Sequence, residues 1–254
     1  MKSLDQIEPR IPISSAPFTI VLPGSYCLAT NVAVSAGNAI TIATNGVTLD
    51  LNGFTISAIA GSETDYGILL NSGLSDIAIF NGHIRGCVTN NGSGVYSGSG
   101  FIYGLIYDAI PPANVRVSNV SVSGCLYYGI WLTTGDSTLV EGCTVRTVGN
   151  YGYGIGASTV RDSVVTDCGG TAIYGTQVFN CRGESNGNIE YGIYANETAM
   201  GCYGSSISGI GVRARNAVFC TASRPGGTAL QATIANGCYA AAGTNNITYK
   251  YNMP

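Results

Sequence analysis

Seven ionisable side chains crowd one stretch of this sequence: Glu141, Arg146, Arg161, Asp162, Asp167, Arg182 and Glu184. Folded together, such a set could act on a polysaccharide. Two facing carboxylates serve as acid and base in glycoside hydrolysis. Carboxylates gathered around Ca²⁺, with an Arg as base, suit a lyase. On this reading the candidate catalytic residues are Glu141, Asp162, Asp167 and Arg146, and Ca²⁺ is the one cofactor required. Against it, the fourteen acids of the chain are dispersed, with no Asp-Asp pair and no Asn-x-Asp element. The favoured expectation is therefore a solvated face with no catalytic residue and no cofactor, its ion pairs contributing about 0–1 kcal/mol each. His83 is the single histidine. No Ser or Cys nucleophile is evidently placed to use it, and it reads as structural or neutral.

Aromatic side chains offer a different chemistry, because flat apolar rings stack on sugars or on a partner protein. One set, Tyr96, Phe101, Tyr103 and Tyr107 with Asp108, lies in a Gly- and Ser-rich setting. A second set tracks regularly spaced isoleucines. Trp131, Tyr174 and Tyr194 come one residue after them, and Tyr128, Tyr153 and Tyr191 two residues before. The expected binding residues are Tyr96, Tyr103, Tyr107, Asp108, Trp131, Tyr174 and Tyr194. Packing against one another, or against a second copy of the chain, is the competing use.

Nine cysteines complete the reactive inventory. Cys143, Cys181, Cys202, Cys220 and Cys238 align with Val120 and Ser163; Cys87, Cys125 and Cys168 align five residues later with Val148. A site that accepts Val, Ser or Cys selects small size and low polarity, as a free thiol in a core does. No Cys-x2-Cys pair is present, so no metal site is expected. Disulfides between stacked equivalents remain open on distance, since neighbouring strands lie about 4.8 Å apart. Parallel side chains make the torsion awkward, which favours reduced thiols. Cys27 falls outside both columns.

These columns exist because the sequence repeats. Val120, Cys143, Ser163, Cys181, Cys202, Cys220 and Cys238 are separated by 23, 20, 18, 21, 18 and 18 residues. Three residues before them stand Leu51, Ile79, Val117, Val140, Val160, Val178, Ala199, Ala217 and Ala235. Two residues after stand Ile56, Ile84, Val122, Val145 and Val165, fading to Gly183, Gly204, Ala222 and Ala240. A Gly-Ile element follows: Gly67-Ile68, Gly94-Val95, Gly129-Ile130, Gly154-Ile155, Ala172-Ile173, Gly192-Ile193, Gly209-Ile210 and Ala229-Leu230. Alternating strand residues face opposite ways, so two such columns share an inner face only if a bend separates them. Asn81, Asn119 and Asn180 sit at that bend, where Asn tolerates turn backbone. Single coils cannot bury their apolar edge, and stacking makes one continuous core. The pattern predicts an all-β, single-domain right-handed parallel β-helix over residues 18–254. Residues 1–17 are expected to cap it, with Ser3 and Gln6 spaced for one helical turn. The interval 88–113 is expected to be a long insertion.

The opening Leu4-Asp5-Gln6-Ile7-Glu8-Pro9-Arg10-Ile11-Pro12-Ile13, with Pro23-Gly24-Ser25-Tyr26 and Val47-Thr48-Leu49-Asp50-Leu51-Asn52-Gly53, resembles uncharacterised bacterial β-helix-repeat proteins. Together with the shrinking inward column, it is similar to the pectate-lyase-like right-handed parallel β-helix superfamily. The resemblance implies the fold and carries over no activity.

Composition agrees with this class. Glycine supplies 36 of 254 residues, about twice the ordinary ~7 per cent, and charged residues only 10 per cent against a usual ~25 per cent. Eleven basic residues stand singly, so no run exists to neutralise a nucleic-acid backbone. Apolar runs are too short for a membrane span, and the start lacks the apolar segment of a signal peptide. The favoured reading is a non-catalytic binding or structural β-helix at the cell surface, contacting glycans or neighbouring copies. A polysaccharide lyase or hydrolase with an atypical site, and a solenoid that self-assembles through its aromatic flank or last coil, are the alternatives.

Overall fold

A computed structural model describes residues 10–61, 63–134, 137–149, 152–188 and 190–253, and these form strands and turns with no helix. All but two short strands join one sheet in which coil pairs with coil in parallel. The chain is a right-handed parallel β-helix.

Each coil has three faces, and each face contributes one inward column. On the first face the column is Ile40, Ile68, Leu105, Ile130, Ile155, Ile173, Ile193, Val212 and Leu230. On the second it is Leu49, Ile79, Val117, Val140, Val160, Val178, Ala199, Ala217 and Ala235. The third carries Ile56, Ile84, Val122, Val145 and Val165, then Gly183, Gly204 and Ala222. Almost all of these are inaccessible to solvent. The fade to glycine marks a narrowing core: a Cβ on Gly183 or Gly204 would stand 2.2 Å from the carbonyl oxygen of Gly192 or Gly211.

The corner between the second and third faces makes the coil turn. Asn81, Asn119, Gly142, Asp162, Asn180, Gly201, Phe219 and Gly237 each take a left-handed backbone there, with φ between 50° and 67°. Gly, Asn and Asp adopt this conformation at little cost. The next residue points inward and closes the corner. Ser163 Oγ donates to the carbonyl of Arg161 (2.8 Å), and the thiols of Cys181, Cys202 and Cys220 donate to Phe179, Met200 and Val218 (3.1, 3.3 and 3.4 Å). Small side chains are selected because the corner leaves little room; the carbonyls these donors meet also accept the corner amides of the preceding coil, as Phe179 does from Asp162 and Met200 from Asn180. All nine thiols are free.

Four expectations shift in register. Gly104-Leu105, not Gly94-Val95, aligns with Gly67-Ile68 and Gly129-Ile130. Strand Gly100–Tyr107 is therefore an ordinary coil strand with Phe101 buried in the core, and only residues 88–99 leave the solenoid. Both candidates fit the local pattern, but Val95 is exposed while Phe101 and Leu105 are buried, so core filling decides. Similarly Gly211-Val212, not Gly209-Ile210, continues the first face, and Leu49 rather than Leu51 pairs with Ile79. At the start, Ile11–Ile13 pairs with Tyr26–Leu28, so the first coil begins inside the interval assigned to a cap. The Ser3/Gln6 turn lies outside the described residues.

Two predictions follow from the corner and the buried thiols. Phe219 is a bulky residue in left-handed backbone, its ring lying over Gly237 as the Asn180 amide lies over Gly201. Phe219→Asn should stabilise by about 1 kcal/mol, read as a rise of about 2–4 °C in Tm. An unchanged or lower Tm would mean that the ring contact outweighs the backbone strain. Burial pushes Cys125, Cys168 and Cys181 up to about 12 and Cys143 up to about 11. A thiol held neutral in the fold contributes its full stability below its unfolded pKa, near 8.5, and loses it as pH climbs toward the folded value. Tm should therefore hold to about pH 8.5 and fall above it. Cys125→Val, matching Val148 in the next coil, should make that alkaline fall shallower.

Candidate functional site

Outward side chains of the third face form the floor of an open groove of about 1050 Å³. Two columns supply it, Thr55, His83 and Ser121 in one and Ser57, Arg85, Ser123 and Arg146 in the other; past the groove they continue as Thr144 and Val164, and as Thr166. His83 Nδ1 lies 2.6 Å from Ser121 Oγ, which fixes the ring across adjacent coils. Among the described residues, neither Arg85 nor Arg146 is in an ion pair. Cys87 also lines the groove, half-buried, with its thiol donating to the Ala58 carbonyl (3.4 Å) rather than joining the buried column of Cys125.

Residues 88–99 build one wall. Thr89–Asn90 pairs antiparallel with Tyr96–Ser97, and the side-chain oxygens of Asn90 and Asn91 accept four backbone amides of the tip. Tyr96 points back beneath the hairpin against Gly149 and Gly169, where an added Cβ would stand 2.7 and 2.8 Å from it. Asp167 anchors the assembly. Its carboxylate accepts from Asn90 Nδ2 (2.5 Å), Tyr96 Oη (2.9 Å), Thr147 Oγ1 (2.8 Å) and Asn186 Nδ2 (3.2 Å). Burial, first of all, holds the Tyr96 hydroxyl well above the usual tyrosine range. The one carboxylate lining the groove is thus already engaged by four donors.

The aromatic flank lies on the first face. Tyr66, Tyr103, Tyr128, Trp131, Tyr153 and Tyr174 stack along the axis, with centroids 4.6–5.9 Å apart and most planes within 15–39° of parallel. Trp131 reaches its neighbours by lying over Gly156, whose absent Cβ would stand 2.2 Å from the indole. Tyr194 meets Tyr174 edge-on, and the Arg213 guanidinium closes the row over Tyr194 (4.8 Å) while donating to Tyr191 Oη. Ring faces are spent on one another, each pair worth about 0.5–1.5 kcal/mol, and mainly edges look outward. Burial raises the Tyr66, Tyr103, Tyr128 and Tyr153 hydroxyls above the ordinary value.

The residues singled out from sequence therefore part company. Tyr103 belongs to the ladder, Tyr96 is a buried hairpin anchor, Tyr107 packs half-buried against the core, and Asp108 is exposed in the turn beyond it. Trp131, Tyr174 and Tyr194 share the ladder. Glu141 is ion-paired with Arg161 on the second face, and Asp162 occupies a corner, accepting from Asn180 Nδ2 (3.3 Å). Only Arg146 and Asp167 share the groove. Sequence reasoning placed His83 alone and overlooked Arg85. Their two-residue spacing was the available signal, because it repeats in Ser121/Ser123 and Thr144/Arg146. Among the described residues, no group of three His, Cys, Asp or Glu is placed to hold a metal ion, and no helix is long and apolar enough to cross a membrane. No family model, curated protein or solved structure matches the chain.

Asp167→Ala would leave four donors without their acceptor, a loss of about 1–3 kcal/mol concentrated on the hairpin. A nonspecific protease should then cut between Asn91 and Val95 about tenfold faster or more, with the remaining coils intact. Cleavage at the wild-type rate would show that Tyr96 packing alone holds the wall.

Proposed function

We propose that this protein is a non-catalytic binding β-helix that holds an acidic polysaccharide along its third-face groove, at the cell surface. One observation carries the reading: Arg85 and Arg146, in no ion pair among the described residues, line the groove with His83 beside Ser and Thr hydroxyls. Guanidinium groups form paired, charge-assisted hydrogen bonds with carboxylates, and hydroxyls serve the neutral oxygens of sugars. The groove is open and runs along the stacked coils, a shape suited to a linear polymer. The resemblance to pectate-lyase-like β-helices favours a glycan over other polyanions. Stacking of sugars on the aromatic flank has less support, since the rings already cover each other's faces.

Purified protein should be retained by immobilised acidic polysaccharide at low salt, released as salt screens the charges, and pass through neutral dextran. Arg85→Gln and Arg146→Gln should each weaken retention about tenfold, the loss of about 1.4 kcal/mol. Equal retention on the neutral polymer, or indifference to both substitutions, would refute the groove as the binding site. New reducing ends during incubation with Ca²⁺ would make the protein an enzyme instead.

A further inference from the structure

The charges in the groove are not merely present but spaced. Along one outward column the register runs Ser57, Arg85, Ser123, Arg146, Thr166, one residue per coil. The adjacent column runs Thr55, His83, Ser121, Thr144, Val164. Successive rungs are therefore neutral, cationic, neutral, cationic, neutral. Two features reinforce the alternation. The intervening rung is made only of hydroxyls, and one of them, Ser121 Oγ, is already bonded to His83. Beside the rung that follows Arg146 stands the Asp167 carboxylate, which repels an anion there. The next rung, Arg182 and Glu184, neutralises itself through an internal ion pair.

Coils repeat at about 4.8 Å, so Arg85 and Arg146 issue from backbones about 10 Å apart. One pyranose unit of an extended chain advances by nearly the same length as one coil. Building on the acidic-polysaccharide reading above, we infer that the groove selects a polymer carrying its carboxylate on every second sugar, and reads two such acidic sugars separated by a neutral one. A homopolymer of uronic acids bound with every carboxylate toward the groove would lay its middle one over Ser121 and Ser123, where no cation meets it, and another beside Asp167.

The test compares hyaluronan, with a uronate on every second ring, and polygalacturonate, with one on every ring, as hexasaccharides in calorimetric titrations of the full chain. Nonspecific attraction favours polygalacturonate, which carries more charge, so the two explanations predict opposite orders. Wild-type protein should bind the hyaluronan hexamer about tenfold more tightly, a difference of about 1.4 kcal/mol. Ser123→Arg, which puts a cation on the neutral rung at an outward position, should shift the ratio at least tenfold toward polygalacturonate. Should that variant misfold, Ser57→Arg, on the neutral rung before Arg85 in the same groove, is the second choice, with the same direction expected. Equal or tighter wild-type binding of polygalacturonate, still dependent on Arg85 and Arg146, would overturn the spacing rule and leave the groove as an acidic-glycan site. Absence of binding to either hexamer would overturn both.

Discussion

From the second coil onward, this protein depends on one backbone event, the left-handed residue that turns the chain from the second face into the third. Without it, the inward residues on either side would point to opposite faces of a continuing strand. Once the turn is made, the following side chain must be small and point inward, and where it is Ser163, Cys181, Cys202 or Cys220 it also donates to a carbonyl two residues back. The corners also constrain one another between coils. Asn119 leans over Gly142, Asn180 over Gly201 and Phe219 over Gly237, and in each case a Cβ on the glycine would collide. Side-chain corners thus tend to be followed by bare ones, and the stack is fixed to within an atom's width.

That constraint explains why the architecture was legible and why parts of the site were not. The corner, the inward columns and the Cys ladder repeat with nearly constant spacing, so alignment of the chain with itself exposes them. The hairpin breaks the phase, and two Gly-Val/Leu elements, at 94 and 104, then compete for one place in the column. Local pattern scores them alike. Burial of Phe101 and Leu105 separates them, and burial is a property of the assembled core. Asp167 shows the same limit. Its sequence neighbours reveal a charged turn, whereas its role comes from Asn90 and Tyr96, more than seventy residues earlier in the chain.

The first and third faces use one scaffold in opposite ways. On the first face, outward residues are aromatic and consume each other's surface, extending the core order to the outside of the coil. Such a ladder stiffens the stack without offering a pocket. On the third face, outward residues are short hydroxyls interrupted by Arg85 and Arg146, which leaves depth and unspent charge. The hairpin deepens that depression along one side, and its anchor sits on the same face at Asp167, one turn beyond the floor.

Rigidity matters to what this groove could discriminate. Its floor is strand, each rung fixed by the parallel register with the coils on either side. Side chains on such a lattice are separated by whole coil steps, and a ligand cannot draw them closer without breaking the ladder. Binding groups on flexible loops adjust to many spacings and lose selectivity in doing so. Here the cost of ordering is met on folding rather than on binding, so a mismatch between ligand charges and rungs has no means of relaxing except the swing of two arginine side chains. A periodic protein surface is therefore built like a ruler, and in the proposed glycan-binding role the length it would measure along the third face is the distance between charges two coils apart.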